Sequence, residues 1–359
     1  MLFEESKIGN LKVRNRFVRS ATWENMATEE GRLTEKLMKM YEDLSKGGVG
    51  FIITGYAYIT KEEQPSPKML GIYDDSFIEE YKPLAEVIET NGAKAIMQIV
   101  YGGSQTSFNL GKREILGPSK VPDRITKVTP KEMTKEDIDY IVKAFGEAAR
   151  RVKEAGFHGV QIHGAHGYLL SKFLDPYHNR RLDEYGGSIE NRARIVFQVY
   201  EEVRKQVGDD YPILIKINCK DFGYDGLKFS DTLWVCKELE KRGIDAIELS
   251  GGGYKDNIDP SEDGLSKLKG DAYFSSYGDK LSKEINVPVI LVGNLRDLGE
   301  IEELEKDTNI KFFSMCRPFI RESNIINRWK IKSKDRSKCL NCDKCRSDEG
   351  VVCIFNRKK

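Results

Sequence analysis

Eight short apolar runs recur along the chain, each separated from the next by a longer amphipathic stretch, and this alternation constrains the fold more than any other feature. The runs are Phe17 to Ser20, Val49 to Ile53, Ala95 to Val100, Gly159 to Ile162, Ile213 to Ile217, Ala246 to Leu249, Val287 to Val292 and Phe312 to Met315. They are rich in Val and Ile and apolar throughout rather than alternating, the pattern of parallel strands buried on both faces. The stretches Thr34 to Lys46, Ser76 to Thr90, Thr134 to Glu154, Ser188 to Val207 and Ser230 to Arg242 read as helices. Most open on Ser or Thr and close near Gly, as capping favours. Eight strands alternating with about eight helices predict an α/β fold, a (β/α)8 TIM barrel. The rival, an open doubly wound sheet, usually carries G-x-G-x-x-G after its first strand, which is absent. The run Gly251-Gly252-Gly253 has the wrong spacing and comes late.

A length of 359 residues could hold two domains. The pattern instead divides the chain into a barrel over residues 1–330, closing near Trp329, and a charged connector with a cysteine-rich tail over 331–359. The 58 basic and 57 acidic residues leave a net charge of +1, with no general pull toward nucleic acid or an anionic membrane. The start, MLFEESKIGNL, is not a signal peptide, and no apolar stretch is long enough to span a bilayer. The expected location is cytoplasmic, where the seven cysteines are reduced, liganded or catalytic.

In such a barrel, function sits at the C-terminal strand ends. Those ends offer Ala21 and Thr22, Gly55, Gln98, His163, Lys216, Ser250 with Gly251, Gly293 with Asn294, and Cys316 with Arg317. Any one of them could simply satisfy a loop, so the weight lies on the set. Its sharpest piece is His163-Gly164-Ala165-His166-Gly167-Tyr168. Two imidazoles without an obvious third ligand make a poor zinc site. They suit holding a carbonyl or phenolate oxygen, while a phenol with an ordinary pKa of about 10 can deliver a proton.

The run His163 to Leu170 (HGAHGYLL), with Phe173-Leu174-Asp175-Pro176, Asn179 to Ser188 (NRRLDEYGGS) and Asn191-Arg192, resembles the old yellow enzyme family of NADH:flavin oxidoreductases, FMN-dependent ene-reductases. The likeness extends to Leu11 to Ser20, Gln98 with Gly102-Gly103, Ser250-Gly251-Gly252, Gly293-Asn294 and Arg317-Pro318. The most similar branch includes single-barrel ene-reductases of the thermophilic-like class and the barrel of bacterial 2,4-dienoyl-CoA reductase. The resemblance implies FMN, with NAD(P)H as hydride donor and a small enone-type substrate. It implies that His163 and His166 hold the substrate oxygen and that Tyr168 protonates carbon. It places Gln98 on the flavin pyrimidine edge, Lys216 near flavin N1, and Gly293 and Arg317 on the phosphate. A cation near N1 would stabilise the negative charge of reduced flavin.

There are departures. Ser20-Ala21-Thr22-Trp23 lacks the family's Pro and any redox-tuning Cys, leaving Thr22 as a donor to flavin O4 or N5; Tyr101 replaces a frequent His; Cys316 replaces a frequent Gly.

Cys339, Cys342, Cys345 and Cys353 are spaced C-x2-C-x2-C-x7-C. Such thiolates suit a [4Fe–4S] cluster or zinc, and a metal could fold so polar a segment. The resemblance favours iron–sulfur, although the middle spacing in 2,4-dienoyl-CoA reductase is usually one residue longer. With no FAD and NAD domain before Lys359, a cluster would be structural or serve a separate redox partner. A flavin-free lyase or isomerase barrel and an electron-transfer component are the competing functions. The physiological substrate, the choice between NADH and NADPH, and assembly as a homo-oligomer are not readable from these residues.

Overall fold

The computed structural model describes residues 1–252, 271–331 and 336–357; Gly253 and part of the charged connector lie outside them. Eight parallel strands form the barrel: β1 (Phe17–Arg19), β2 (Phe51–Ile53), β3 (Lys94–Val100), β4 (Gly159–Gly164), β5 (Ile213–Asn218), β6 (Ala246–Ser250), β7 (Val289–Val292) and β8 (Phe312–Met315). Each pairs with its sequence neighbour, β8 pairs with β1, and β3 pairs with β4, so the sheet closes. The eight apolar runs all fall on these strands, because a parallel strand covered on both faces must be apolar along its length. Its Val, Ile and Leu side chains are almost wholly buried. Each contributes roughly 1.5–3 kcal/mol by leaving water.

Helices α1 (Glu35–Lys46), α2 (Ser76–Thr90), α3 (Lys135–Glu154), α4 (Arg194–Val207), α5 (Phe229–Lys241), α6 (Ser275–Glu284), α7 (Leu298–Asp307) and α8 (Ile325–Ile331) follow the strands in turn. Thr34 caps α1 by accepting from Leu37 N–H at 3.2 Å. Thr134 and Asp137 form a reciprocal capping box on α3. The stretch Ser188 to Val207 is not one helix. Ile189–Arg192 is a separate turn interrupted at Ala193, where the Arg192 guanidinium reaches the Leu174 and Gly187 carbonyls and Asp231. Ala193 keeps helical angles, so the interruption is a kink rather than an end.

The barrel has an apolar floor and a polar ceiling. A hairpin of Ser6–Ile8 and Leu11–Val13 closes the N-terminal end, where Ile8 and Val13 pack with Val18, Phe51, Ile96, Leu214 and Phe312. Trp329 is buried against Phe17 with ring centroids 5.8 Å apart. Beyond it, residues 336–357 fold back over the C-terminal mouth and include a hairpin, Arg346–Ser347 against Gly350–Val351. No helix among the described residues is long and apolar enough to cross a membrane.

Candidate active site

Polar side chains sit where the apolar strands reach the upper layer of the barrel. Gln98 Nε2 donates to Gln161 Oε1 at 2.7 Å, and Gln161 Nε2 donates to Glu248 Oε2 at 2.9 Å. Glu248 Oε1 also accepts from Ser20 (2.6 Å) and Ser314 (2.8 Å), and lies 3.3 Å from Lys216 Nζ, which donates to Ser20 at 2.7 Å. Burial alone would favour a protonated Glu248. The Lys216 charge and the bonds from Ser20, Gln161 and Ser314 outweigh it and hold the carboxyl below its usual range. The register puts His163 beside Lys216 and Lys216 beside Glu248, so three strands deliver one row.

At the end of β4, His166 (φ 61°) and Gly167 (φ 77°) both adopt left-handed backbone and turn the chain across the mouth. The strained His166 is held at both ends. Its N–H donates to Asn218 Oδ1 at 3.2 Å, and its Nε2 shares a hydrogen bond with Ser250 Oγ at 2.7 Å. His163 Nδ1 accepts from Ala165 N–H at 3.3 Å, which leaves its Nε2 as the N–H donor of a neutral ring. The imidazole centroids are 5.3 Å apart and nearly perpendicular. Burial, then the Lys216 charge, lowers the His166 pKa to about 3; burial, with His166 and Lys216, pushes His163 well below its ordinary value. Both rings are therefore neutral donors at pH 7, suited to an oxygen that gains negative charge. Tyr168 stacks edge-on to His163 at 4.8 Å, and burial beside Tyr56 raises its phenol well above 10, so it holds its proton.

A cavity of about 230 Å³ opens next to His166. Ala21, Lys216, Ser250, Gly251, Gly293, Asn294, Cys316 and Arg317 line it, together with Ser20, Tyr273, Phe274 and Ser314. Gly293 (φ 131°) has no room for a Cβ, which would stand 2.9 Å from both the Tyr273 and Phe274 rings. Thr22 Oγ1 donates to Cys316 Sγ at 2.9 Å, so a thiol from the end of β8 stands where the strand-one sequence offers none. Arg317 meets Asp343 of the tail at 2.5 Å and Asn294 Oδ1 at 3.5 Å. Of the expected cofactor-side residues, Thr22, Gly55 and Gln98 do not line this cavity; the Gly55 N–H donates to the Tyr41 hydroxyl at 2.8 Å and its Cα faces the Glu24 carboxylate. Lys216, the expected cation, stands 3.3 Å from the Glu248 carboxylate.

The sequence reading missed Gln161, Glu248, Tyr56 and Glu63. The first two were detectable as isolated polar residues inside buried strands. Tyr56 packs 5.4 Å from Tyr168 and donates or accepts with Ser66 at 3.0 Å. Burial, opposed by Arg113, raises the Glu63 carboxyl to about 8, while its Oε2 accepts from Gly102 N–H.

The expected metal-binding tail is not supported by the arrangement of the described residues. Among the described residues no group of three or more His, Cys, Asp or Glu is arranged to hold a metal. Cys339 and Cys353 are buried and Cys342 is exposed. The four are neighbours, since burial and the nearby Cys353, Cys339 and Cys342 raise the Cys345 thiol pKa.

The sequence profile of the NADH:flavin oxidoreductase / NADH oxidase family matches residues 1–336. The chain is 32% identical over 352 residues to an NADH oxidase of Thermoanaerobacter brockii, covering 95% of this chain and 52% of that protein. It is 32% identical over 322 residues to an NADPH dehydrogenase of Geobacillus sp. (strain WCH70), covering 89% and 91%. A 2-naphthoyl-CoA reductase structure in complex with 2-naphthoyl-CoA superimposes with a TM-score of 0.86 at 26% identity, over 92% of this chain and 52% of that one. The chain thus spans about half the length of the first and last of these relatives.

Proposed function

This chain belongs to the NADH:flavin oxidoreductase / NADH oxidase family, and from that membership we propose that it binds FMN in the cavity beside His166, accepts hydride from NAD(P)H, and reduces the activated C=C bond of an α,β-unsaturated carbonyl substrate. The observation that carries this reading is that one cavity joins His166, Lys216 and Ser250 to Gly293, Asn294 and Arg317 at the C-terminal mouth. The residues suit the cofactor. Gln98 Oε1 is buried without a partner among the described residues, an acceptor for an imide N–H. Gly293 lets the backbone approach a phosphate, and Arg317 adds a guanidinium fork. When bound, FMN supplies the hydride relay. The chain's own task is to position and protonate: His163 Nε2–H and the His166 ring hold the carbonyl oxygen, and the Tyr168 hydroxyl gives its proton to the α-carbon.

Denatured protein is expected to release FMN at about one per chain, and stopped-flow mixing with NAD(P)H is expected to bleach the flavin before an enone restores it. A colourless protein that FMN cannot reconstitute refutes the reading. The cysteine spacing supports a [4Fe–4S] centre in the tail, with zinc as the alternative. Iron, acid-labile sulfide and zinc analysis of anaerobically prepared protein decides between them. Residues 1–330 and 331–359 are taken as the catalytic barrel and its appended tail.

A further inference from the structure

The tail hairpin lies on the loop after β1, more than 300 residues away in sequence. Val351 N–H donates to Glu24 O at 2.8 Å, and Asn25 Nδ2 donates to Ser347 O at 3.2 Å. The backbone at its first residue, Arg346, is fixed: Arg357 donates to the Arg346 carbonyl at 2.9 Å and Val352 N–H to the Cys345 carbonyl at 2.9 Å. The Arg346 side chain is exposed and reaches over Trp23, with its guanidinium carbon 5.8 Å from the ring centroid. Trp23 packs against the same buried cluster, Tyr58, Met69 and Val100, as Tyr56 and Tyr168, the phenols at the reacting end of the site. The Arg346 charge opposes the effect of burial on both phenols, which puts the cation within electrostatic reach of each hydroxyl. Other ionisable groups there lie beside partners of their own, Glu24 with Arg19 at 2.9 Å and Glu63 with Arg113 at 3.3 Å. Arg346 has no ion-pair partner among the described residues.

We propose that Arg346 is a specificity-determining residue contributed by the tail to the rim of the substrate site, where it holds a carboxylate attached near the activated C=C bond. The assignment rests on the enone-reductase reading of that site. A planar guanidinium backed by an indole face is suited to a carboxylate, and an unmatched cation above neutral imidazoles and phenols selects an anion over a neutral ligand. The remaining recognition groups are uncharged at neutral pH, so this one residue would set the charge preference.

The test uses the whole holoprotein and its Arg346→Gln and Arg346→Lys variants. Binding of 4-oxopentanoate and of its methyl ester, both saturated, is measured by quenching of tryptophan fluorescence. Turnover is measured with 4-oxopent-2-enoate and its methyl ester. Arg346→Gln is expected to weaken binding of the acid about tenfold more than binding of the ester, with a matching rise in KM, and Arg346→Lys to recover part of the difference. Equal changes for acid and ester, or no preference for the acid in the unaltered protein, would overturn the proposal. If neither enone is reduced while the acid still binds in an Arg346-dependent way, the anion site stands and the ene-reductase reading falls.

Discussion

Glu248→Gln tests whether the polar ceiling of the barrel is one interlocked unit. The carboxylate is wholly buried, and Lys216, whose side chain is 4% exposed, stands 3.3 Å from it. At an effective dielectric constant near 20, that separation corresponds to an attraction of about 5 kcal/mol. The net effect of removing the charge is smaller, because Lys216 then recruits water; breaking a buried pair costs about 3–5 kcal/mol. The amide adds a second fault. Oε1 takes two donors and Oε2 takes Gln161 Nε2, so an amide nitrogen in the latter place opposes a donor with a donor. Gln161 can flip only if Gln98 also flips. Expected destabilisation is therefore about 3 kcal/mol or more. Urea unfolding followed by circular dichroism, at fixed FMN concentration, measures it. The Lys216→Met and Glu248→Gln double variant should lose at least about 2 kcal/mol less than the sum of the singles. A Glu248→Gln loss below about 1 kcal/mol, or strict additivity, would refute the interlocked network.

Tyr168→Phe is expected to slow re-oxidation of reduced flavin by an enone about a hundredfold while leaving reduction by NAD(P)H nearly intact; equal effects on the two half-reactions in stopped flow would argue against a proton-donor role. Gly293→Ala combines left-handed backbone with a Cβ 2.9 Å from two rings, so FMN affinity should fall about tenfold or more, read as free flavin fluorescence in an ultrafiltrate. Acid should destabilise the fold through His166. Its folded pKa of about 3 lies below the ordinary 6.5, so the unfolded chain takes up a proton that the folded one refuses. That stability is complete above pH 6.5 and declines by about 1.4 kcal/mol per pH unit toward pH 3. His166→Asn should flatten the urea midpoint against pH over this window, and parallel profiles for the two proteins would contradict the assignment.

The strands could be read from the sequence because burial on both faces leaves a continuous apolar signature, and the helices because Thr34 and Thr134 carry their capping chemistry locally. The strand-end residues followed from the fold, since each sits at a fixed offset from an apolar run. Their electrostatic state did not. Lys216 in the sequence Ile-Leu-Ile-Lys-Ile-Asn looks like a free cation, and only the β5–β6 register sets Glu248 against it. Yet Gln161, Lys216 and Glu248 share a signal: each is a lone polar residue within a buried parallel strand, where an unpaired group is costly, so such residues should be expected to find one another.

Gly55 shows the opposite limit. Its place at a strand end was correct, but its N–H was already committed to Tyr41, a residue on α1 that no local pattern connects to it. The tail extends the same lesson over a longer distance. Cysteine spacing reports which thiols are close along the chain, and not whether Arg317 reaches Asp343 between two of them or Ser347 docks on Asn25. Those contacts place a segment chosen for its cysteines against both ends of the proposed flavin site, with Asp343 on Arg317 and Arg346 over Trp23. Two consequences follow from this placement. An anionic ligand at the Gly293–Arg317 end must compete with Asp343 for the guanidinium, and a change in the tail must reach the substrate end through a hairpin only a few residues further on.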